Sequence, residues 1–187
     1  MRVTSSEDMT SPCTGRLARL AAPPPPPPHA IMLQPLPAEQ TALQRFFRAA
    51  QFAVVGASTD RTKYGNRVLR WYQNHQLPVT PVHPKATSVE GLTAVSDLGS
   101  VMEQAANPVE AKTSVSVITP PAVSLDLLKK YASDPRIVAL WLQPGAADGP
   151  VVQWVQSQPD NIQERVIYSG NCILVSGEKF GKRIGRL

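Results

Sequence analysis

Five short apolar runs separated by stretches with helical spacing constrain this chain more than any other feature. The runs are 52–55, 79–82, 114–118, 137–142 and 165–168. Each is bounded by Gly, Pro or polar residues and has the length of a buried strand. Between them the apolar residues recur every three or four positions, as on one face of a helix. Leu43, Phe46, Phe47 and Ala50 make such a stripe, as do Val68, Leu69 and Tyr72. Val123, Leu127, Leu128 and Tyr131 make a third, and Val151, Val152 and Val155 a fourth. Pro81 conflicts with the second strand, because proline removes a ladder donor. Residues 86–112 are the least legible, with a short strand expected near Leu92 and a helix over 98–106. Strands alternating with helices predict an α/β fold: a doubly wound, mainly parallel, five-stranded sheet with helices on both faces.

Composition narrows what such a fold could do. The chain has 187 residues, 42% of them hydrophobic, enough for one domain with a real core. It has no apolar run of roughly 18 residues, so no membrane span is expected. The formal charge of +5 suits an anionic partner. The cations are scattered, however, with no basic–aromatic motif, so a polyanionic small molecule is expected rather than nucleic acid. Two cysteines, Cys13 and Cys172, make neither a zinc site nor a disulfide framework, and they point to a reducing compartment. A cytoplasmic protein is expected, with a mitochondrial one as the alternative: Arg2, Arg16 and Arg19 resemble a presequence, while Glu7 and Asp8 oppose it.

The first 37 residues differ in kind from the rest. They are rich in Ser, Thr and Pro, with six prolines in succession from Pro23 to Pro28. Such a run favours polyproline II and buries nothing, so an unstructured arm is expected. It could serve a proline-binding module, although the flanking arginines of a typical ligand are missing. The expected division is therefore an arm over 1–37, a folded domain over 38–177 and a basic tail over 178–187.

In parallel α/β sheets ligands bind outside the C-terminal strand ends, where the strand order reverses. The first strand runs into Gly56-Ala57-Ser58, and a helix is expected from about Tyr64. Free N–H groups and the dipole at a helix N-terminus favour phosphate, and Lys63 stands where such an anion would lie. A side chain at position 56 would be expected to enter the phosphate approach. Neither G-x-G-x-x-G nor the P-loop pattern is present, since 56–61 reads G-A-S-T-D-R. The second strand ends in His83-Pro84-Lys85, without the carboxylate that holds a ribose 2′-hydroxyl in NAD enzymes. A lysine there suits a ribose phosphate instead, which NADP and coenzyme A both carry.

The motifs G-A-S-x5-Y-G-N, P-V-H-P-K, I-T-P-P and W-L-Q-P-G follow one another in that order. Together they resemble the small CoA-binding-domain family, itself similar to the N-terminal domain of the succinyl-CoA synthetase α subunit. The likeness spans about residues 45–176 and implies a Rossmann-like domain. It implies that Gly56, Ala57, Ser58, Lys63, Tyr64 and Gly65 cradle the diphosphate of coenzyme A or acyl-CoA. Pro84 and Lys85 would face the 3′-phosphoadenosine. Thr119, Pro120 and Pro121 would line the adenine and pantetheine path, and Gln143, Pro144 and Gly145 the pocket floor. Two departures stand out: His83 replaces the usual asparagine, and Gly170-Asn171-Cys172 replaces an acidic–basic pair before the cysteine.

No catalytic constellation is visible. Among His29, His75 and His83, none lies beside a carboxylate partner, and no metal-ligand spacing appears. His75 is expected to be an exposed helix end, and His83 either a ligand contact or a structural strand end. Cys172 is expected to be a buried core thiol, against the sharper alternative of a mixed disulfide with the CoA thiol. Trp71, Trp141 and Trp154 are expected in the core or at its edge. The expectation is a binder acting as carrier, sensor or regulatory protein. The alternatives are an NADP-dependent reductase and an interaction protein working through its proline arm.

Overall fold

The computed structural model describes residues 37–104 and 112–187. Helix α1 (Pro37–Phe46) leads into β1 (Gln51–Val55), α2 (Tyr64–Asn74) and β2 (Val79–Val82). A small hairpin, β3 (Ser88–Val89) and β4 (Leu92–Thr93), precedes α3 (Leu98–Glu103) and β5 (Thr113–Val117). Then come α4 (Pro121–Tyr131), β6 (Ile137–Leu142), α5 (Gly149–Gln156), α6 (Asp160–Gln163), β7 (Val166–Ile167) and α7 (Ile173–Arg183). Five strands form one parallel sheet in the order β2-β1-β5-β6-β7. The chain leaves β1 for β2 on one side and returns to β5 on the other, so the order reverses between β1 and β5.

Alternate side chains of each strand enter opposite cores, as the pleat requires. Phe52, Val54, Ala139, Trp141 and Ile167 pack with α1, α2 and α7. Ala53, Val55, Val115, Val117, Leu140 and Leu142 pack with α3, α4 and α5. The first core is aromatic: the Phe46 and Trp141 rings meet edge to face at 5.2 Å, and Phe52 lies 5.1 Å from Tyr72. Small residues on the central strand make room for these rings. Ser114 and Ser116 are both buried there, and Ser116 Oγ shares a 2.8 Å hydrogen bond with the Tyr72 hydroxyl.

Several helical faces turn out rotated or shortened relative to expectation. α1 ends at Phe46, so Ala50 lies beyond it and is exposed, while Ala42 joins Leu43 and Phe46 on the buried face and Ala49 is buried in the connection to β1. On α4 the buried row is Ser124, Leu128 and Tyr131, while Val123 stands half-exposed. Ser124 is drawn inward because its hydroxyl donates to the Thr119 carbonyl at 3.1 Å, a bond that only a short polar side chain can make. On α5, Val151 and Val155 are buried and Val152 only partly so. Helix α3 stops at Glu103, and residues 105 and 106 of the expected helix lie outside the described residues. So do Cys13, His29 and the whole Pro23–Pro28 run.

Pro81 is tolerated because β2 is the edge strand of the five-stranded sheet, pairing with β1 on one side and carrying only the isolated Val82–Val95 bridge on the other. Its carbonyl accepts from Val95 N at 3.1 Å. The C-terminus corrects the expected tail: α7 runs through the boundary at 177 to Arg183, and Phe180, Ile184 and Leu187 pack on the aromatic core. Gly177 permits this, since a Cβ there would come within 2.8 Å of the Trp71 ring. No helix among the described residues is long and apolar enough to cross a membrane.

Candidate functional site

All five strands point the same way, so Gly56, His83, Ile118, Gln143 and Tyr168 leave the sheet at one edge. Gly56 and Ile118 follow β1 and β5, on either side of the reversal in strand order. Gly56 has φ +89°, a left-handed conformation that favours glycine. A Cβ on Gly56 would stand 2.6 Å from the Ile118 carbonyl oxygen. The cost of a side chain at 56 therefore falls on the protein's own backbone rather than on the phosphate approach. Gly65 is buried, and a Cβ on it would stand 2.0 Å from the Gly56 carbonyl oxygen. These two glycines let β1, β5 and the first turn of α2 converge on one point.

The helix ends beside that crevice lack the capping side chain that α3 and α5 have. Asp97 Oδ1 accepts from Ser100 N at 3.1 Å and caps α3; Asp148 Oδ1 accepts from Val151 N at 3.1 Å and caps α5. The N-cap of α2 is Lys63, which makes no capping bond, and the first turn of α2 has no acid. Helix α4 begins at Pro120-Pro121 and also has no side-chain cap. Helix N-termini without a capping side chain keep free N–H donors and an uncompensated positive end. α6 and α7 lack a side-chain cap of their own too, but Ile173 N of α7 donates to Gln143 Oε1 at 2.9 Å.

The β1–α2 loop is held by polar bonds at both ends. Asp60 Oδ1 accepts from Thr62 N and Oγ1 at 2.9 and 2.7 Å, which keep its carboxyl below the ordinary range. Asn66, fully buried, donates through Nδ2 to the Ser58 carbonyl and to Glu90 Oε1, both at 2.8 Å. Its Oδ1 accepts from Arg70 Nε at 2.9 Å. Glu90 also receives Arg61, with Nη2 donating to Oε2 at 2.7 Å. Hydrogen bonds from Arg61 first and Asn66 second hold the Glu90 carboxyl down at about 2. Neither Asn66 nor Glu90 was assigned a role from sequence. The signals were the Asn of the Y-G-N motif and the Glu90-Gly91 turn, whose partners lie far away in the chain.

The remaining expected residues fall at the same edge. Lys63, Pro84 and Lys85 are exposed, and neither lysine makes an ion pair among the described residues. His83 Nδ1 accepts from Lys85 N at 3.1 Å and from Ala86 N at 2.8 Å, so His83 builds the turn that presents Lys85. Thr119 Oγ1 lies 2.9 Å from Ser124 Oγ, and Pro121 is the first residue of α4 rather than part of the loop. Ala57 is buried, whereas Pro144 and Gly145 are exposed, with Gly145 at φ +90°. Gln143 is 1% exposed, and its Nε2 has no partner among the described residues.

Cys172 is half-buried at the N-cap of α7 and meets the Tyr64 hydroxyl, which corrects its expected place in the core. Burial, then the bond to Cys172, raises the Tyr64 phenol. His75 caps α2 with its ring 4.2 Å from that of Trp71, and its Nδ1 lies 2.8 Å from the Trp71 carbonyl. Trp71 and Trp141 are buried, and Trp154 packs at the edge of the other core. A cleft of about 360 Å³ lined by Arg45, Arg48, Lys112 and Arg165 lies at the opposite edge, where the strands begin. No group of three His, Cys, Asp or Glu able to hold a metal occurs among the described residues.

A family model described as a CoA binding domain matches residues 50–178. The fold is similar to that of a conserved hypothetical protein from Pyrococcus furiosus, with a TM-score of 0.54 and 26% identity, covering 67% of this chain and 97% of the other. It is also similar to a hypothetical protein from Pyrococcus horikoshii, with a TM-score of 0.56 and 16% identity over 80% and 92% of the two chains. A protein from Thermus thermophilus aligns with a TM-score of 0.57 and 21% identity over 78% and 99%. A search of curated proteins finds no match.

Proposed function

This chain belongs to the CoA-binding domain family, and from that premise we propose that it binds coenzyme A or an acyl-CoA at the crevice between β1 and β5. The observation that carries the reading is the pair of uncapped helix N-termini, α2 and α4, flanking the point where the strand order reverses. Such ends attract anions, and the diphosphate is the ligand's most charged part. The free N–H groups of the first turn of α2, with Lys63 above them, would hold it. Lys85, carried on the His83 turn, would meet the 3′-phosphate. Thr119 and Pro120 would border the adenine and pantetheine, and Gln143 would offer its unpartnered Nε2 donor toward the same edge.

The bound group would supply a thiol, or an acyl group carried on it. The chain's own residues bind and orient it. A role as carrier, sensor or regulatory protein follows. Thermal unfolding of the full chain with CoA, acetyl-CoA, NAD, NADP and ATP in turn tests it. A ligand bound only by the folded state adds about 2.7 kcal/mol at a hundred times its dissociation constant. A rise in melting temperature with CoA and acetyl-CoA alone is expected. A rise with NADP instead would replace this reading with a reductase.

A further inference from the structure

We propose that Glu90 is the positioning residue of the β1–α2 loop, holding it through Asn66 and Arg61 in the shape that receives the ligand's phosphates. The proposal rests on the CoA-binding reading.

The starting point is a local anomaly. Glu90 and Gly91 form the turn of the β3–β4 hairpin, with φ of +49° and +80°. Two successive left-handed residues are the pattern of a type I′ turn, whose first position favours Asn, Asp or Gly. A glutamate there is a poor choice for the turn itself, so its side chain is the place to look for a reason. That side chain is 14% exposed and extends away from its own hairpin.

What it reaches is the loop. Oε1 accepts from Asn66 Nδ2 at 2.8 Å and from Arg61 Nε at 3.0 Å, and Oε2 accepts from Arg61 Nη2 at 2.7 Å. Asn66 uses the other hydrogen of the same nitrogen on the Ser58 carbonyl at 2.8 Å. The two ends of the loop, Ser58 and Asn66, are thus tied together, and the tie is anchored to the hairpin. Arg61 is pinned in the middle of the loop, although 69% of its side chain is exposed. Gln73 Nε2 donates to the Glu90 carbonyl at 3.0 Å and fixes the turn to the body of α2. Thr59 to Lys63, the stretch that would face the phosphates, is otherwise exposed. A loop ordered before binding does not have to be ordered by the ligand, and that gain appears as affinity.

The test compares full-length wild type, Glu90→Ala and Glu90→Gln by CoA titration and by amide hydrogen exchange without ligand. Glu90→Gln keeps an acceptor for Asn66 but loses the Arg61 ion pair. Positioning predicts that Glu90→Ala weakens CoA by about tenfold and speeds exchange over 58–66 by about tenfold, with the sheet unchanged. Glu90→Gln should restore most of both. Unchanged or tighter CoA binding by Glu90→Ala would overturn the proposal, because Glu90 would then merely compete for Arg61. Uniformly faster exchange across the domain would overturn it too, as the mark of general destabilisation. If wild type itself binds no CoA, the functional reading fails separately. The proposed role in ligand reception falls with it, and unchanged loop exchange in Glu90→Ala would remove the tie as well.

Discussion

Lys63 and Lys85 are exposed cations without an ion pair among the described residues, Lys63 at the N-cap of α2 and Lys85 in the turn after β2. Arg61, in the same loop as Lys63, is committed to Glu90. This separates cations available to an anion from those already used. Lys63→Ala and Lys85→Ala should each weaken CoA binding by about 1–2 kcal/mol, through loss of a charge-assisted contact. Titration calorimetry checks this, and wild-type affinity in both variants would refute the pose. The two lysines could be picked out in the sequence because Lys63 stands in the loop just before an expected helix and Lys85 in the segment that closes the second strand. Asn66 and Glu90 could not, because a buried amide and a carboxylate 24 residues apart meet only once the hairpin folds over α2. Cys172 departs from its expected core position for a related reason. It adjoins an apolar run, yet only Ile173 of that pair is fully buried, and the thiol turns toward Tyr64.

Helix α2 is placed by the absence of a side chain at its second residue. A methyl group at 65 would sit 2.0 Å from the Gly56 carbonyl oxygen, a backbone atom that cannot swing away. Gly65→Ala should therefore lift α2 from β1 and cost about 1–3 kcal/mol, as overpacking does. Denaturant unfolding should show a lower midpoint with an unchanged slope. The strands were legible as elements because their apolar runs are short and sharply bounded. Helix faces were less so. Ala50 and Val123 satisfy the spacing of a buried stripe, yet both face solvent: α1 ends at Phe46, before Ala50, and on α4 the bond from Ser124 to the Thr119 carbonyl turns Ser124 inward in place of Val123. Spacing identifies a helix but determines its rotation only to about one residue.

For the molecule as a whole, Glu90 joins the hairpin to the β1–α2 loop and gives the fold a dependence on acid. Its carboxyl is held at about 2, below its ordinary 4.5, so the folded state binds its proton less readily than the unfolded state. The stabilisation is fully present above 4.5 and is lost as the pH falls from 4.5 toward 2. Wild type should unfold at a higher temperature than Glu90→Gln at neutral pH, and the gap should close over that acid window. Melting curves of the two proteins across pH measure it. A gap that stays constant would show that the charge contributes nothing.

The sequence alone determined that the chain alternates strands and helices, that five strands would form a mainly parallel sheet, and that four motif-bearing strand ends would share one edge. Apolar periodicity and strand direction are local or topological properties, so they can be read in one dimension. Tertiary structure decided the rest: that residues 178–183 are helix and pack on the aromatic core, that Gly56 and Gly65 serve backbone contact, and that the β1–α2 loop is tied by Asn66 and Glu90. Each of these depends on distances between residues remote in sequence, which exist only after the sheet has closed and the helices have docked on it.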